Sequence, residues 1–188
     1  QPPRPNLPIY LATLGPKSLQ MTGEVADGWL GTCFMPEAGH VFLDDLEAGA
    51  KSAGRSLKDI DIQTGGYFEI SDDVERLVAE RKPAMAFTLG AMGSAKTNFY
   101  NDAYCRAGYE DDAKAVQSLW IEGKRDQAIA RVPDEMVLLT NFIGTEDMVR
   151  ARLRASRDAG VTTVGLNTGG KSWPERTAAL EEAADLVL

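Results

Sequence analysis

The chain has 188 residues, of which 44% are hydrophobic and 26% charged, a composition typical of a globular domain. Its formal net charge of −8 disfavours binding to nucleic acid, and no apolar run reaches the length of a membrane span. Cys33 and Cys105 have no metal-ligand spacing, so we expect a cytoplasmic protein with no metal site and no nucleic-acid or membrane partner.

The first five residues, QPPRP, contain three prolines and no initiator methionine, which is typical of an extended connector. We expect the chain to begin inside a longer protein, although an expression artefact would leave the same pattern. Strands and helices then alternate. The predicted elements are a strand at 8–14, a helix at 18–26, a strand at 29–33, a helix from Pro36 to Gly54, and a strand at 62–70.

The second half begins with a helix, because Asp72 and Glu75 have capping-box spacing. No clear strand follows until about Phe142, and Pro83 and several glycines are expected to divide this stretch into separate helices. A helix capped by Thr145, a strand at 161–167 and a final helix complete the chain. Four strand–helix units predict a parallel α/β sheet, either a small doubly wound domain or half of a (β/α)8 barrel.

Residues 165–172 (GLNTGGKS) match the P-loop pattern G-x-x-x-x-G-K-[ST]. A nucleotide site is disfavoured, because no strand follows to supply a magnesium ligand and Ser172 has capping-box spacing to Glu175. Gly169 and Gly170 instead form either a phosphate-binding turn above a helix start or a flexible turn beside a solvated lysine.

The segment Ala12-Thr13-Leu14-Gly15-Pro16-Lys17-Ser18 joins the first strand to a helix. Glycine permits close ligand approach, and proline suits the first helical turn. The backbone N–H groups after the proline predict an anion site at the helix start, although an ordinary capped turn has the same pattern.

Three stretches resemble the luciferase-like flavin and deazaflavin oxidoreductases. IYLATLGPKSLQMTGEVADGWLGT (9–32) is similar to the region between their fifth and sixth strands. The stretch at 90–137, with its Met92-Gly93-Ser94 and Asn98-Phe99-Tyr100-Asn101 segments, looks like the helical insertion of the actinobacterial F420-dependent branch. IGTEDMVRARLRASRDAGVTTVGLN and ERTAALEEAADLV are similar to the last units.

The resemblance implies a (β/α)8 TIM barrel, of which residues 1–188 would form the C-terminal half, strands five to eight, with a helical insertion at about 82–143. It also implies hydride transfer between coenzyme F420 and a small organic substrate, or FMN-dependent monooxygenation as the alternative. The catalytic groups are expected in the other half of the barrel, and a catalytically silent half-barrel is the alternative of another class.

The same resemblance assigns the site. Cofactor contacts are expected from the first-strand loop and the last-strand turn, and substrate or lid contacts from the insertion; Lys17 would reach either the cofactor or a substrate anion. The expected residues are Ala12, Thr13, Leu14, Gly15, Pro16, Lys17, Gly169 and Gly170 for the cofactor, and Met92, Asn98, Phe99 and Tyr100 for the substrate or lid. A half-barrel leaves unpaired strand edges, which predicts a homodimer or other self-association.

Overall fold

The computed structural model describes residues 4, 6–94, 96–170 and 172–186. The strands in these residues are β1 (Tyr10–Leu11), β2 (Gly28–Leu30), β3 (Asp61–Ile70), β4 (Phe142–Gly144) and β5 (Thr163–Thr168). The helices are α1 (Pro16–Val25), α2 (His40–Ser52), α3 (Val74–Ala91), α4 (Phe99–Tyr104), α5 (Glu110–Ile121), α6 (Arg125–Arg131), α7 (Asp134–Leu139), α8 (Glu146–Asp158) and α9 (Trp173–Asp185). Short 3-10 turns lie at Pro36–Ala38 and Leu57–Asp59, and a π-helical turn lies at Cys105–Tyr109.

Every strand pairing in the described residues is parallel, which confirms the α/β prediction. β1 pairs with β2 and β2 with β3, and β3 also pairs with β4 and β5. Backbone groups of successive strand residues point to alternate edges. The Gln63 carbonyl accepts from Gly31 beside β2, whereas the Ile62 carbonyl accepts from Thr162 at the start of β5. β2 and β5 therefore flank opposite edges of β3.

β4 lies on the same edge of β3 as β2, but further along the strand. β2 pairs with Asp61–Gln63, and β4 pairs with Phe68–Ile70. The prediction of four strands is therefore wrong by one: β4 has only three residues, too short for a period-2 pattern to mark it. The predicted strand at 161–167 is β5, the fifth in chain order.

Close helix packing fixes the position of α1 behind β1. A Cβ atom on Gly23 would come within 2.0 Å of the Leu46 carbonyl oxygen, and one on Gly49 within 1.8 Å of the Gln20 carbonyl oxygen. Glycine at both crossings therefore lets α1 and α2 touch through their backbones. The Arg55 guanidinium donates to carbonyls at the end of α1, which have no partner within the helix.

The core beneath β1 and β2 is aromatic. Trp29 is fully buried and packs against Phe42, with ring centroids 5.3 Å apart, and against Phe34 at 6.2 Å. The Trp29 indole N–H donates to the Thr13 carbonyl at 2.9 Å. This bond ties the loop after β1 to the core, and Trp29 is a packing residue.

Two glycines at helix-to-strand transitions differ in role. Gly160, after α8, has φ +95°, the left-handed conformation expected at a helix end. Gly28 does not end α1 in this way, because it lies within β2 and Ala26 leaves the helix in an extended conformation. A Cβ atom on Gly28 would overlap the Tyr10 ring at 2.1 Å. Gly28 is therefore needed for packing against Tyr10 and not as a helix end.

The predicted break at Pro83 does not occur, because α3 runs without interruption from Val74 to Ala91. The missing proline N–H removes one intrahelical hydrogen bond, and contacts with α5 and α7 hold the helix together. The predicted start of the insertion, near residue 82, therefore falls inside a helix. None of the described helices is long and apolar enough to cross a membrane.

Candidate functional site

A cavity of about 430 Å³ lies on one face of the sheet, between β3, β5 and the helices α3 and α4. We call it the tyrosine cavity. Its lining residues are Thr32, Cys33, Gly65, Gly66, Tyr67, Arg81, Ala84, Met85, Thr88, Tyr100, Tyr104, Thr140, Asn141, Gly165 and Asn167. Its volume is in the range of small-molecule sites. A larger cavity of about 730 Å³ lies between α8, β5 and α9, on the other face of β5.

Glycines create the room in the tyrosine cavity. Gly65, Gly66 and Gly165 lie on its floor, where side chains would otherwise fill the space. A Cβ atom on Gly66 would also come within 2.6 Å of the Thr140 carbonyl oxygen. Gly65 and Gly66 lie in the longest described strand of the sheet, and their lack of side chains leaves this face open.

Asn141 fixes one wall of the cavity. Its amide Oδ1 accepts from the Tyr67 backbone N–H at 2.9 Å, and its Nδ2 donates to the Val137 carbonyl at 2.8 Å. The side chain thus takes the place of a strand partner for β3 just before β4 begins. It fixes both Tyr67 and the end of α7 relative to the sheet.

Tyr67 and Arg81 stack beside this wall. The Arg81 Cζ atom lies 4.0 Å from the centroid of the Tyr67 ring, a cation–π geometry. The Tyr67 hydroxyl donates to Glu69 at 3.0 Å, and Arg76 holds the other oxygen of that carboxylate at 2.8 Å. Burial, with the Glu69 hydrogen bond, raises the pKa of Tyr67, so the phenol is neutral at physiological pH.

Cys33 lines the cavity in a strained backbone conformation, with φ +60°. Burial raises the pKa of its thiol to about 11. Tyr104, which interacts with Cys33, is almost fully buried, and burial also raises its pKa well above the usual value. Both groups are therefore neutral near pH 7, and Cys33 is not activated as a thiolate.

The predicted loop from Ala12 to Lys17 lies at the carboxyl end of β1. The carbonyls of Thr13 and Leu14 point inward and accept from Trp29 and Arg106. Ala12, Pro16 and Lys17 are exposed.

Gly15 precedes α1 with an ordinary extended φ of −81°, and a Cβ atom there would meet nothing closer than 3.6 Å. Its conformation does not require glycine. Pro16 is the first helical residue, and no side chain caps the helix. The N–H groups of Lys17 and Ser18 lie in the first turn of α1 and therefore have no intrahelical acceptors. This turn follows β1 at the carboxyl end of the sheet.

Gly169 and Gly170 follow β5 at the same carboxyl end of the sheet, because the described strands are parallel. A Cβ atom on Gly169 would come within 2.3 Å of the Tyr67 hydroxyl, and Gly170 has φ +117°. The turn therefore packs against the tyrosine cavity. Lys171 lies outside the described residues, and the Ser172 hydroxyl accepts from the Glu175 N–H at 3.4 Å, as the capping box predicts.

Of the predicted lid residues, Tyr100 lines the tyrosine cavity. Asn98 is 2% exposed, and its amide caps α4 and donates to the Leu89 carbonyl at 2.8 Å. Phe99 is 61% exposed and Met92 36%, and neither lines the cavity. A contact between these residues and a substrate stays a prediction.

Sequence reasoning missed Tyr67, Arg81, Asn141 and Asn167. Asn167 is the last residue of the predicted strand at 161–167, so its position at a strand end could have marked it. Arg81 and Asn141 were not, because α3 and the α7–β4 loop reach the sheet only through tertiary packing. No local periodicity marks such residues.

The sequence profile of the luciferase-like monooxygenase family matches residues 1–163. Over 181 residues the chain is 33% identical to a Mycobacterium tuberculosis protein provisionally named as a coenzyme F420-dependent oxidoreductase, covering 95% of this chain and 52% of the relative. Over 185 residues it is 32% identical to the 5,10-methylenetetrahydromethanopterin reductase of Methanopyrus kandleri, covering 97% and 50%.

The fold is also similar to the solved structure of the coenzyme F420-dependent tetrahydromethanopterin reductase from Methanopyrus kandleri. The TM-score is 0.67 at 25% identity, over 93% of this chain and 48% of that one. The chain thus spans about half the length of the curated relatives it matches. Its assignment to strands five to eight of a barrel stays a prediction.

Proposed function

Because the chain belongs to the luciferase-like monooxygenase family, we propose that it forms part of an oxidoreductase that moves a hydride between coenzyme F420 and a small organic substrate. The names of the relatives described above support F420 over FMN. The substrate of those relatives is not carried over to this chain.

One geometric observation carries the proposal. Two segments that are far apart in sequence lie at the carboxyl end of the sheet, because each follows a parallel strand. They are the uncapped start of α1 and the Gly169–Gly170 turn. Backbone N–H groups at a helix start favour a phosphate. The tyrosine cavity opens on the adjoining sheet face and offers neutral hydroxyl and amide groups. Such donors suit an anionic coenzyme with a polar ring system.

Each part of the site has a distinct role in this proposal. The N–H groups of Lys17 and Ser18, with the Lys17 ammonium, hold the phosphate. The Gly169–Gly170 turn gives the coenzyme close access to the backbone. The wall from α3 and α4 covers the reacting face and excludes water. The deazaflavin, when bound, supplies the hydride chemistry, and the protein orients it.

A binding titration tests the proposal. Tryptophan fluorescence of the purified protein is followed while F420 or FMN is added. We expect F420 to bind more tightly than FMN. Lys17→Ala is expected to weaken F420 binding by about 5-fold, the loss of roughly one exposed charge contact. Lys58→Ala, at another exposed lysine, is the matched control and should leave binding unchanged. Tight FMN binding without F420 binding would refute the proposal.

A further inference from the structure

Arg81 has no counter-ion within the part of the chain that the structure describes. Among the described residues, no carboxylate lies within 4.0 Å of its guanidinium, although other arginines on this surface, including Arg76, form ion pairs. Its Nε atom is buried, and no described group accepts a hydrogen bond from it. Because protein atoms enclose Nε, a ligand in the cavity would contact the terminal nitrogens of the guanidinium.

The guanidinium is held in a fixed orientation. It stacks on the Tyr67 ring at 4.0 Å, and the Tyr67 backbone is bound to Asn141. The Glu69 carboxylate accepts from the Tyr67 hydroxyl and from Arg76. Glu69 therefore positions the ring beneath Arg81, while Arg76 balances its charge.

The surroundings of Arg81 are otherwise neutral. It is the one charged residue among the described residues that line the tyrosine cavity. The other walls offer hydroxyl and amide groups, including Thr88 and Asn167, and the apolar surfaces of Met85 and Tyr100. A lone cation in a largely neutral cavity favours a ligand with a single negative charge.

We propose that the tyrosine cavity binds a small monocarboxylic acid, whose carboxylate is held by the Arg81 guanidinium. The planar fork of arginine matches a carboxylate with two parallel hydrogen bonds. A phosphate dianion would leave one charge uncompensated here. The organic body of the acid lies between Tyr100 and Met85. This inference rests on the proposed function for the role of the acid as substrate, and Arg81 is then its specificity-determining residue.

Benzoate is the probe, because its ring and carboxylate match the two parts of the cavity. Isothermal titration calorimetry measures its binding to the purified protein without F420. We expect Arg81→Gln to weaken benzoate binding at least 10-fold, and Arg81→Lys, which keeps the charge but loses the fork, to weaken it less. Arg157→Gln makes the same change at an exposed arginine outside the tyrosine cavity and should have no effect.

Three further measurements keep the result unambiguous. Thermal melting by circular dichroism checks that each variant folds. Benzamide, the neutral analogue, is titrated into the unmodified protein and should bind at least 10-fold more weakly than benzoate, which tests the charge requirement even where Arg81→Gln fails to fold. F420 titration of the same variants should show little change.

The inference is overturned by the absence of benzoate binding, by equal binding of benzoate and benzamide, or by unchanged benzoate binding to a folded Arg81→Gln protein. Loss of F420 binding in Arg81→Gln with benzoate binding retained also overturns it, since the anion would then belong to the coenzyme. Absence of F420 binding by the unmodified protein, with Arg81-dependent benzoate binding intact, refutes the proposed function alone.

Discussion

Gly65 and Gly165 are direct partners in the β3–β5 pair, and a Cβ atom added to Gly65 would come within 2.0 Å of the Gly165 carbonyl oxygen. The reverse is not true: a Cβ atom on Gly165 would meet nothing closer than 3.7 Å. The two strands thus depend on one glycine of the pair.

Gly65→Ala should therefore separate β3 from β5, whereas Gly165→Ala should not. We expect Gly65→Ala to lower the free energy of unfolding by about 2–4 kcal/mol, because backbone must move to relieve the overlap. Urea denaturation measures the difference, and Gly165→Ala is the matched control. Equal stability of the two variants would show that the strands are not in this register.

Asn101→Ala should destabilise the helical segment. The Asn101 amide is buried and donates to the Leu89 and Ala113 carbonyls, at 3.0 and 2.8 Å. Removing it takes one donor from each carbonyl, and the Leu89 carbonyl keeps the Asn98 amide as its donor, so we expect a loss of about 1–3 kcal/mol in the free energy of unfolding. Urea denaturation followed by circular dichroism provides the measurement. The exposed Gln127→Ala in α6 should change stability little, and an equal loss there would contradict the prediction.

Cys33 should react slowly with iodoacetamide at neutral pH. Burial raises the pKa of its thiol from 9.0 to about 11, so the reactive thiolate at pH 8 is about 100-fold scarcer than in a thiol with the ordinary value. The rate should rise with pH until about 11. Protonation is favoured in the folded state, so the stability that this provides is full below about pH 9 and is lost above it.

Mass spectrometry of alkylated peptides follows this reaction for each cysteine. A Cys33→Ser protein isolates the contribution of Cys105, whose pKa is also raised by burial. Complete labelling of native Cys33 within minutes at pH 7 would contradict the assigned environment.

Ser172→Ala separates the helix cap from the P-loop. We expect a loss of about 1 kcal/mol in the free energy of unfolding, because the first turn of α9 loses its cap. We also expect no binding of magnesium ATP to the unmodified protein by calorimetry. Thr177→Ala, in the middle of the same helix, is the control for a lost hydroxyl. ATP binding that depends on Ser172 would restore the nucleotide interpretation.

The protein should self-associate through the β1 edge. Leu7 and Ile9 are both 59% exposed, and β2 is the one strand that pairs with β1 in the described residues. Light scattering should show species larger than a monomer, and Ile9→Lys should shift them toward the monomer. Ile121→Lys, at a similarly exposed residue elsewhere, should not. A monodisperse unmodified monomer would contradict the prediction.

The sequence predicted the fold where local signals were strong. Thr145 caps α8 as expected, and strand–helix alternation predicted the parallel sheet. Local signals failed where tertiary contacts decide the outcome. Packing against neighbouring helices holds α3 together at Pro83. β4 forms because it pairs with β3, next to the bond between Asn141 and Tyr67, and not because its three residues form a pattern.

The candidate site divided in the same way. The Gly15 and Gly169 segments are turns at strand ends, which sequence detects well. The Tyr67–Arg81 pair joins a strand to a helix. The proposed role of Arg81 in anion binding depends on the absence of a counter-ion among the described residues. Whether a charge is paired depends on the folded structure, so a sequence motif cannot predict it.

The edge of β3 that β2 and β4 share has one more consequence. The polypeptide leaves the sheet at Ile70 and returns at Phe142, which pairs with Phe68 of the same strand. The two strands are separated by the usual spacing of adjacent strands, about 5 Å. Both ends of the segment between these residues therefore lie next to the same strand. Insertions and deletions in this segment can leave the pairing of the remaining strands unchanged. The helices that cover the tyrosine cavity can therefore differ between proteins that share the sheet.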